Sequence, residues 1–145
     1  MSASRIAPKL YQGSHPSFVG ELHRAKIHTL VLCAVELQPD ESALPGIEVL
    51  RCPYVDVDDP MGLSTLRMVE QAATAVARRV SRKQRTLVTC AQGLNRSGLV
   101  AGLALVLSGM EPNAAIALLR EKRCDMVLCN ETFRNWLSRY RERLL

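Results

Sequence analysis

Long apolar runs are missing from this sequence, aromatic residues make up only 4% of it, and no two of its cysteines stand in a C-x-x-C pair. Each absence excludes something. No stretch approaches the roughly 20 apolar residues that a membrane-spanning helix needs. No basic segment followed by a short apolar one opens the chain, so a secretory leader is not expected either. The three histidines, His15, His23 and His28, lie far from any cysteine cluster. Metal-ligand spacing is therefore absent, and neither a metal nor a cofactor is expected. The cysteines, at 33, 52, 90, 124 and 129, are odd in number. Together these features point to a cytoplasmic protein with reduced thiols. With so few aromatics, the core must be built mainly from Leu, Val, Ala and Ile. No internal repeat or low-complexity segment is visible.

What is present fits a globular chain. Its 145 residues suit a single domain spanning 1–145, and a domain of that size buries roughly 68–70% of its unfolded surface. Hydrophobic residues at 48% and charged residues at 23% are an ordinary balance. The net charge of +5 suits an anionic partner, whether nucleic acid, acidic lipid head groups or a phosphorylated substrate.

Residues 1–4 read as a loose end, and Arg5–Gln12 as a short strand or two closed by Gly13-Ser14. Ser17 reads as the N-cap of a short helix running to about Ala25. Thr29–Val35 is nearly all apolar, the pattern of a strand covered on both faces. A polar turn over 38–46 leads to a strand at Ile47–Tyr54, and Asp56–Pro60 is an acidic loop. From Ser64 to Arg82, apolar residues recur at spacings of three and four, which predicts a helix. Arg85–Thr89 is a second buried strand. Apolar Ser97–Leu107, Asn113–Arg120 after Pro112, and Thr132–Leu144 complete the helices. Alternating strands and helices predict an α/β fold with a central, mainly parallel sheet flanked by helices.

The chemistry concentrates where the 85–89 strand ends. Cys90 is followed by Ala91, Gln92, Gly93, Leu94, Asn95, Arg96 and Ser97, and then by the apolar helix. Successive backbone N–H groups after the cysteine can curl into a nest for an oxyanion, and the helix adds its positive end. Gly93 lets the backbone turn where a side chain would intrude. Arg96 carries a planar fork matched to two phosphate oxygens. The same field favours a thiolate at Cys90, and Ser97 can donate a hydrogen bond to the sulfur. Residues 91–97 thus form a candidate phosphate cradle with a nucleophile at its base.

The stretch resembles the signature loop of the protein tyrosine phosphatase superfamily, in its small (atypical) dual-specificity branch. Leu10-Tyr11-Gln12-Gly13-Ser14 resembles that branch's opening LYLGS strand, and Leu87-Val88-Thr89-Cys90 its LVHC strand. Asn130-Glu131-Thr132-Phe133, with Leu137 and Tyr140, resembles its C-terminal helix. Three positions depart from the pattern. Thr89 stands where the branch has His, its hydroxyl a partial substitute; Asn95 replaces Ser; Cys129 replaces Pro.

The resemblance implies a metal-free phosphatase working through a phosphocysteine, with Cys90 attacking and Arg96 binding the phosphoryl group. It also implies an acid roughly thirty residues before the nucleophile. Asp56, Asp58 and Asp59 lie 34, 32 and 31 residues before Cys90. The position three residues after Pro53 favours Asp56, with Asp58 as runner-up because its spacing needs no insertion. The expected substrates are phosphorylated proteins, carrying phosphotyrosine and phosphoserine or phosphothreonine, or other phosphomonoesters such as phosphoinositides or RNA 5′-phosphates. Nucleic acid is not required, and no oligomeric state follows. The rival reading is a pseudophosphatase that binds phosphorylated partners without turnover. Among the remaining residues, Cys33 and Cys52 read as core thiols, and Cys124 and Cys129 as packing residues, with a disulfide or redox switch between those two as the alternative. Arg120, Lys122 and Arg123 read as a basic surface, and Asn130 as a brace for the neighbouring loop.

Overall fold

The computed structural model of the chain describes residues 2–16 and 19–140. Strands β1 (Ala3–Ala7) and β2 (Leu10–Ser14) form an antiparallel hairpin. There follow α1 (Val19–Arg24), β3 (Thr29–Ala34), a 3-10 turn at Glu41–Ala43 and β4 (Glu48–Tyr54). The chain continues through α2 (Leu63–Ser81), β5 (Thr86–Cys90), α3 (Arg96–Leu107), α4 (Pro112–Lys122) and α5 (Glu131–Ser138). The sheet order is β1-β2-β5-β3-β4, and every pairing except β1 with β2 is parallel. This is the expected α/β fold.

Side-chain alternation splits the core across the sheet. Val31, Cys33, Val88 and Cys90 face the larger cluster, shared with α2, α3, α4 and α5. Leu30, Leu32 and Leu87 face a smaller one with Leu22 of α1. Strands β3 and β5 are buried at every residue, as their unbroken apolar runs require. Helix α3 is buried from Arg96 to Val106, which its lack of a polar face predicts. A side chain on Gly102 would come within 2.7 Å of Leu137 and 3.2 Å of Leu119, so this glycine lets α4 and α5 close onto α3. Truncating a residue such as Leu137 there would cost about 2–5 kcal/mol.

Some expectations change. Ala3 and Ser4 are not loose: they pair in register with Gly13 and Gln12. Ser17 lies outside the described residues, as do 141–144 of the expected final helix. Cys33 and Cys52 are core thiols, whereas Cys124 and Cys129 are exposed, with Cys129 Sγ 3.5 Å from Asn95 Nδ2. All five thiols are free. No helix among the described residues is long and apolar enough to cross a membrane.

Candidate active site

Strand β5 ends at Cys90 and α3 begins at Arg96, so the loop between them lies at the carboxyl end of the central strand, against the positive end of a 12-residue helix. A cavity of about 230 Å³ opens there. Its walls are Cys90, the loop residues Ala91, Gln92, Leu94 and Asn95, and Arg96, together with two acids, Glu36 and Asp56. Neither Gly93 nor Ser97, both expected around a phosphate, lines it. Gly93 turns away at φ 70 with its backbone against Gly13, and Ser97 is fully buried with its Oγ 3.3 Å from Cys90 Sγ.

Three successive carbonyls of the loop, those of Gln92, Gly93 and Leu94, are held by donors behind it. Arg123 donates from Nη2 to Gln92 O (3.2 Å) and from Nε to Gly93 O (2.7 Å). Gln12 Nε2 also donates to Gly93 O (3.1 Å), and Leu128 N donates to Leu94 O (3.1 Å). Among the described residues, none accepts from the N–H groups of Ala91 to Asn95. Outward carbonyls and unpaired N–H groups make a nest for an anion. Arg123 is therefore not surface charge, as its sequence context suggested, but the support beneath this loop. An added side chain at Gly93 would meet the Gly13 backbone at 2.5 Å and Arg123 Nη2 at 2.6 Å, which is why this position holds glycine.

Arg96 is 5% exposed and held on three sides. Its Nη1 and Nη2 donate to Glu36 Oε1 (2.6 Å) and Oε2 (2.8 Å), and Nη1 also donates to Tyr54 O (3.0 Å). The Tyr54 hydroxyl in turn donates to Arg96 O (2.6 Å). The hydrogen bonds from Arg96 draw the Glu36 carboxyl down to about 2, and Glu36 raises Arg96 reciprocally. Arg96 Nε is buried with no partner among the described residues, and Nη2 uses one of its two hydrogens, so two N–H donors remain for a bound oxyanion.

Of the three candidate acids, only Asp56 reaches the cavity. Asn95 Nδ2 donates to its Oδ2 (3.0 Å), and Asn130 Nδ2 donates to its Oδ1 (2.9 Å) and to Val57 O (2.9 Å). Asn130 thus braces the loop as expected, and it also caps α5 by accepting from Phe133 N. Asp58 instead accepts from Thr132 N and Oγ1 at the start of α5, and these bonds hold its carboxyl below the usual range. Thr89 does not stand in for a histidine: its hydroxyl donates to Val31 O across the sheet at 2.9 Å. Glu36 and Tyr54 were not anticipated, since nothing in the chain order links them to Arg96.

Residues 10–143 match the family described as dual specificity phosphatase, catalytic domain. Human protein tyrosine phosphatase type IVA 3 is 28% identical over 134 residues, covering 86% of this chain and 70% of the relative. The solved structure of human DUSP28 superposes with a TM-score of 0.83 at 26% identity, covering 99% of this chain and 95% of that one. A mouse putative dual specificity phosphatase, crystallised with zinc tungstate, gives 0.82 at 27%, covering 98% and 87%.

Proposed function

The chain belongs to the dual specificity phosphatase catalytic-domain family, and from that premise we propose how its residues divide the hydrolysis of a phosphomonoester. It is a cysteine-based protein phosphatase. The Cys90 thiolate attacks phosphorus from the floor of the cavity. The bond to the leaving oxygen breaks, its electron pair goes to that oxygen, and Asp56 supplies the proton. Water then attacks the phosphocysteine and gives a proton to the Asp56 carboxylate. The P–S bond breaks with its electrons on sulfur, and inorganic phosphate leaves. The N–H groups of 91–95, Arg96 and the positive end of α3 bear the charge of the transferring group throughout.

The single observation that carries this reading is the convergence of Cys90, Arg96 and Asp56 on one cavity, floored by a loop whose Gln92, Gly93 and Leu94 carbonyls are held from behind. The proposed substrates are phosphotyrosine and phosphoserine or phosphothreonine in proteins. The proposed setting is the cytoplasm, to which five free thiols are suited.

The test is hydrolysis of p-nitrophenyl phosphate and of a phosphopeptide panel. Turnover should resist EDTA and vanish in Cys90→Ser. A folded protein that binds phosphopeptides but turns none over would sink the reading.

A further inference from the structure

We propose that Gln12 is a positioning residue for breakdown of the phosphocysteine, holding the Ser97 hydroxyl with its proton toward Cys90 Sγ; this rests on the reading of Cys90 as nucleophile. Gln12 lies on β2, which runs beside β5 with Ser14 opposite Cys90. The side chain is fully buried, between the loop and the start of α3. Its Nε2 donates to Gly93 O (3.1 Å) and Ser97 Oγ (3.2 Å). The Gly93 carbonyl can only accept, so it fixes which end of the amide faces inward. The opposite orientation would set two oxygens against each other.

With one Ser97 lone pair taken by Gln12, the hydroxyl's own hydrogen is the part left for Sγ, 3.3 Å away. A thiolate can only accept, so the geometry and the charge agree. The arrangement leaves Gln12 Oε1 buried without a partner among the described residues. An apolar side chain would avoid that penalty, so stability alone does not call for glutamine here. The opposite flank offers no help, because the Thr89 hydroxyl is committed to Val31 O.

The step that gains is the second one. As water adds to phosphorus and the P–S bond breaks, negative charge collects on sulfur, and the Ser97 proton faces that charge. The first step uses up the same thiolate charge and gains nothing from the contact.

The experiment is rapid-quench kinetics on p-nitrophenyl phosphate with Gln12→Met, Ser97→Ala, Ser97→Thr and the double variant Gln12→Met/Ser97→Ala. In Gln12→Met the first turnover should stay fast while later turnovers slow about tenfold, with phosphoenzyme accumulating. KM should change little, because Arg123 Nε still holds Gly93 O at 2.7 Å, and the double variant should be about as slow as Ser97→Ala alone. Ser97→Thr, which keeps a hydroxyl, should keep most of the rate. If Gln12→Met does not fold, Gln12→Leu takes its place, and the Ser97 pair still tests the direction of the hydroxyl. Additive losses, or a folded Gln12 variant with unchanged partition between the two steps, would overturn the proposal. Failure to trap phosphate on Cys90 in any variant would instead overturn the nucleophile reading beneath it.

Discussion

Glu36 and Arg96 close on each other as a two-point ion pair, 2.6 and 2.8 Å across, with the carboxylate on the wall of the cavity that the guanidinium serves. The Glu36 carboxyl stays ionised until the pH falls toward about 2, so the pair is intact at every pH where the enzyme can be assayed. Glu36→Gln should therefore lower kcat/KM by about tenfold through looser placement of Arg96. The drop should be uniform from pH 4.5 to pH 8, with neither limb of the profile displaced. A displaced limb would mean that Glu36 itself titrates in the reaction.

Asp56→Asn should separate substrates by their leaving groups. An alkyl phosphate such as phosphoserine needs the proton, and its turnover should fall by about 10²–10⁴-fold. An aryl phosphate with a stable phenolate should lose much less. Asp58→Asn should leave both rates near normal and instead lower the melting temperature, because Asp58 caps α5 at Thr132. The reverse assignment of losses would move the acid to Asp58.

Arg123 carries a prediction its position in the sequence conceals. Arg123→Met keeps the aliphatic stem but removes the donors that hold the Gln92 and Gly93 carbonyls outward. The loop should then bind oxyanions less well, with vanadate inhibition weakened and kcat/KM reduced by about 10–100-fold. Melting measured alongside should show a folded protein. A lower melting point with unchanged vanadate affinity would reduce Arg123 to a packing role.

The legible parts of this molecule were those written locally. The β5–loop–α3 unit could be read because an apolar strand, a glycine-bearing turn and an apolar helix follow one another directly. The helix at 63–81 could be read because its period is its own. Glu36 could not, because its partner lies 60 residues away and an acid in a polar turn looks like any other. Ala3 and Ser4 were missed because a hairpin arm held by backbone pairing with Gly13 and Gln12 leaves no side-chain signature. Gln12 did leave a signal. A glutamine at an inward position of a strand otherwise closed by apolar residues must find partners, and β2 borders the strand that ends in Cys90.

Away from the site, Glu48 and Arg79 tie the edge strand to α2, with Arg79 Nε and Nη2 donating to the two carboxylate oxygens at 2.7 and 2.9 Å. These bonds, helped by Thr29, hold the Glu48 carboxyl at about 2. Since the folded value lies below the ordinary one, the pair adds stability fully above about pH 4.5 and loses it as the pH falls toward 2. The Glu48 side chain is 37% exposed, so solvent screening limits the contribution to about 1 kcal/mol or less. Glu48→Gln should lower the melting temperature by about 2–4 °C at pH 7. That gap should shrink between pH 4.5 and 2 and disappear at the acid end. Glu36 titrates in the same window but is present in both proteins, so it cancels from the difference. Thermal melts of the two proteins at pH 7, 5, 3 and 2 would decide the matter, and a gap persisting at pH 2 would assign the loss to packing rather than charge.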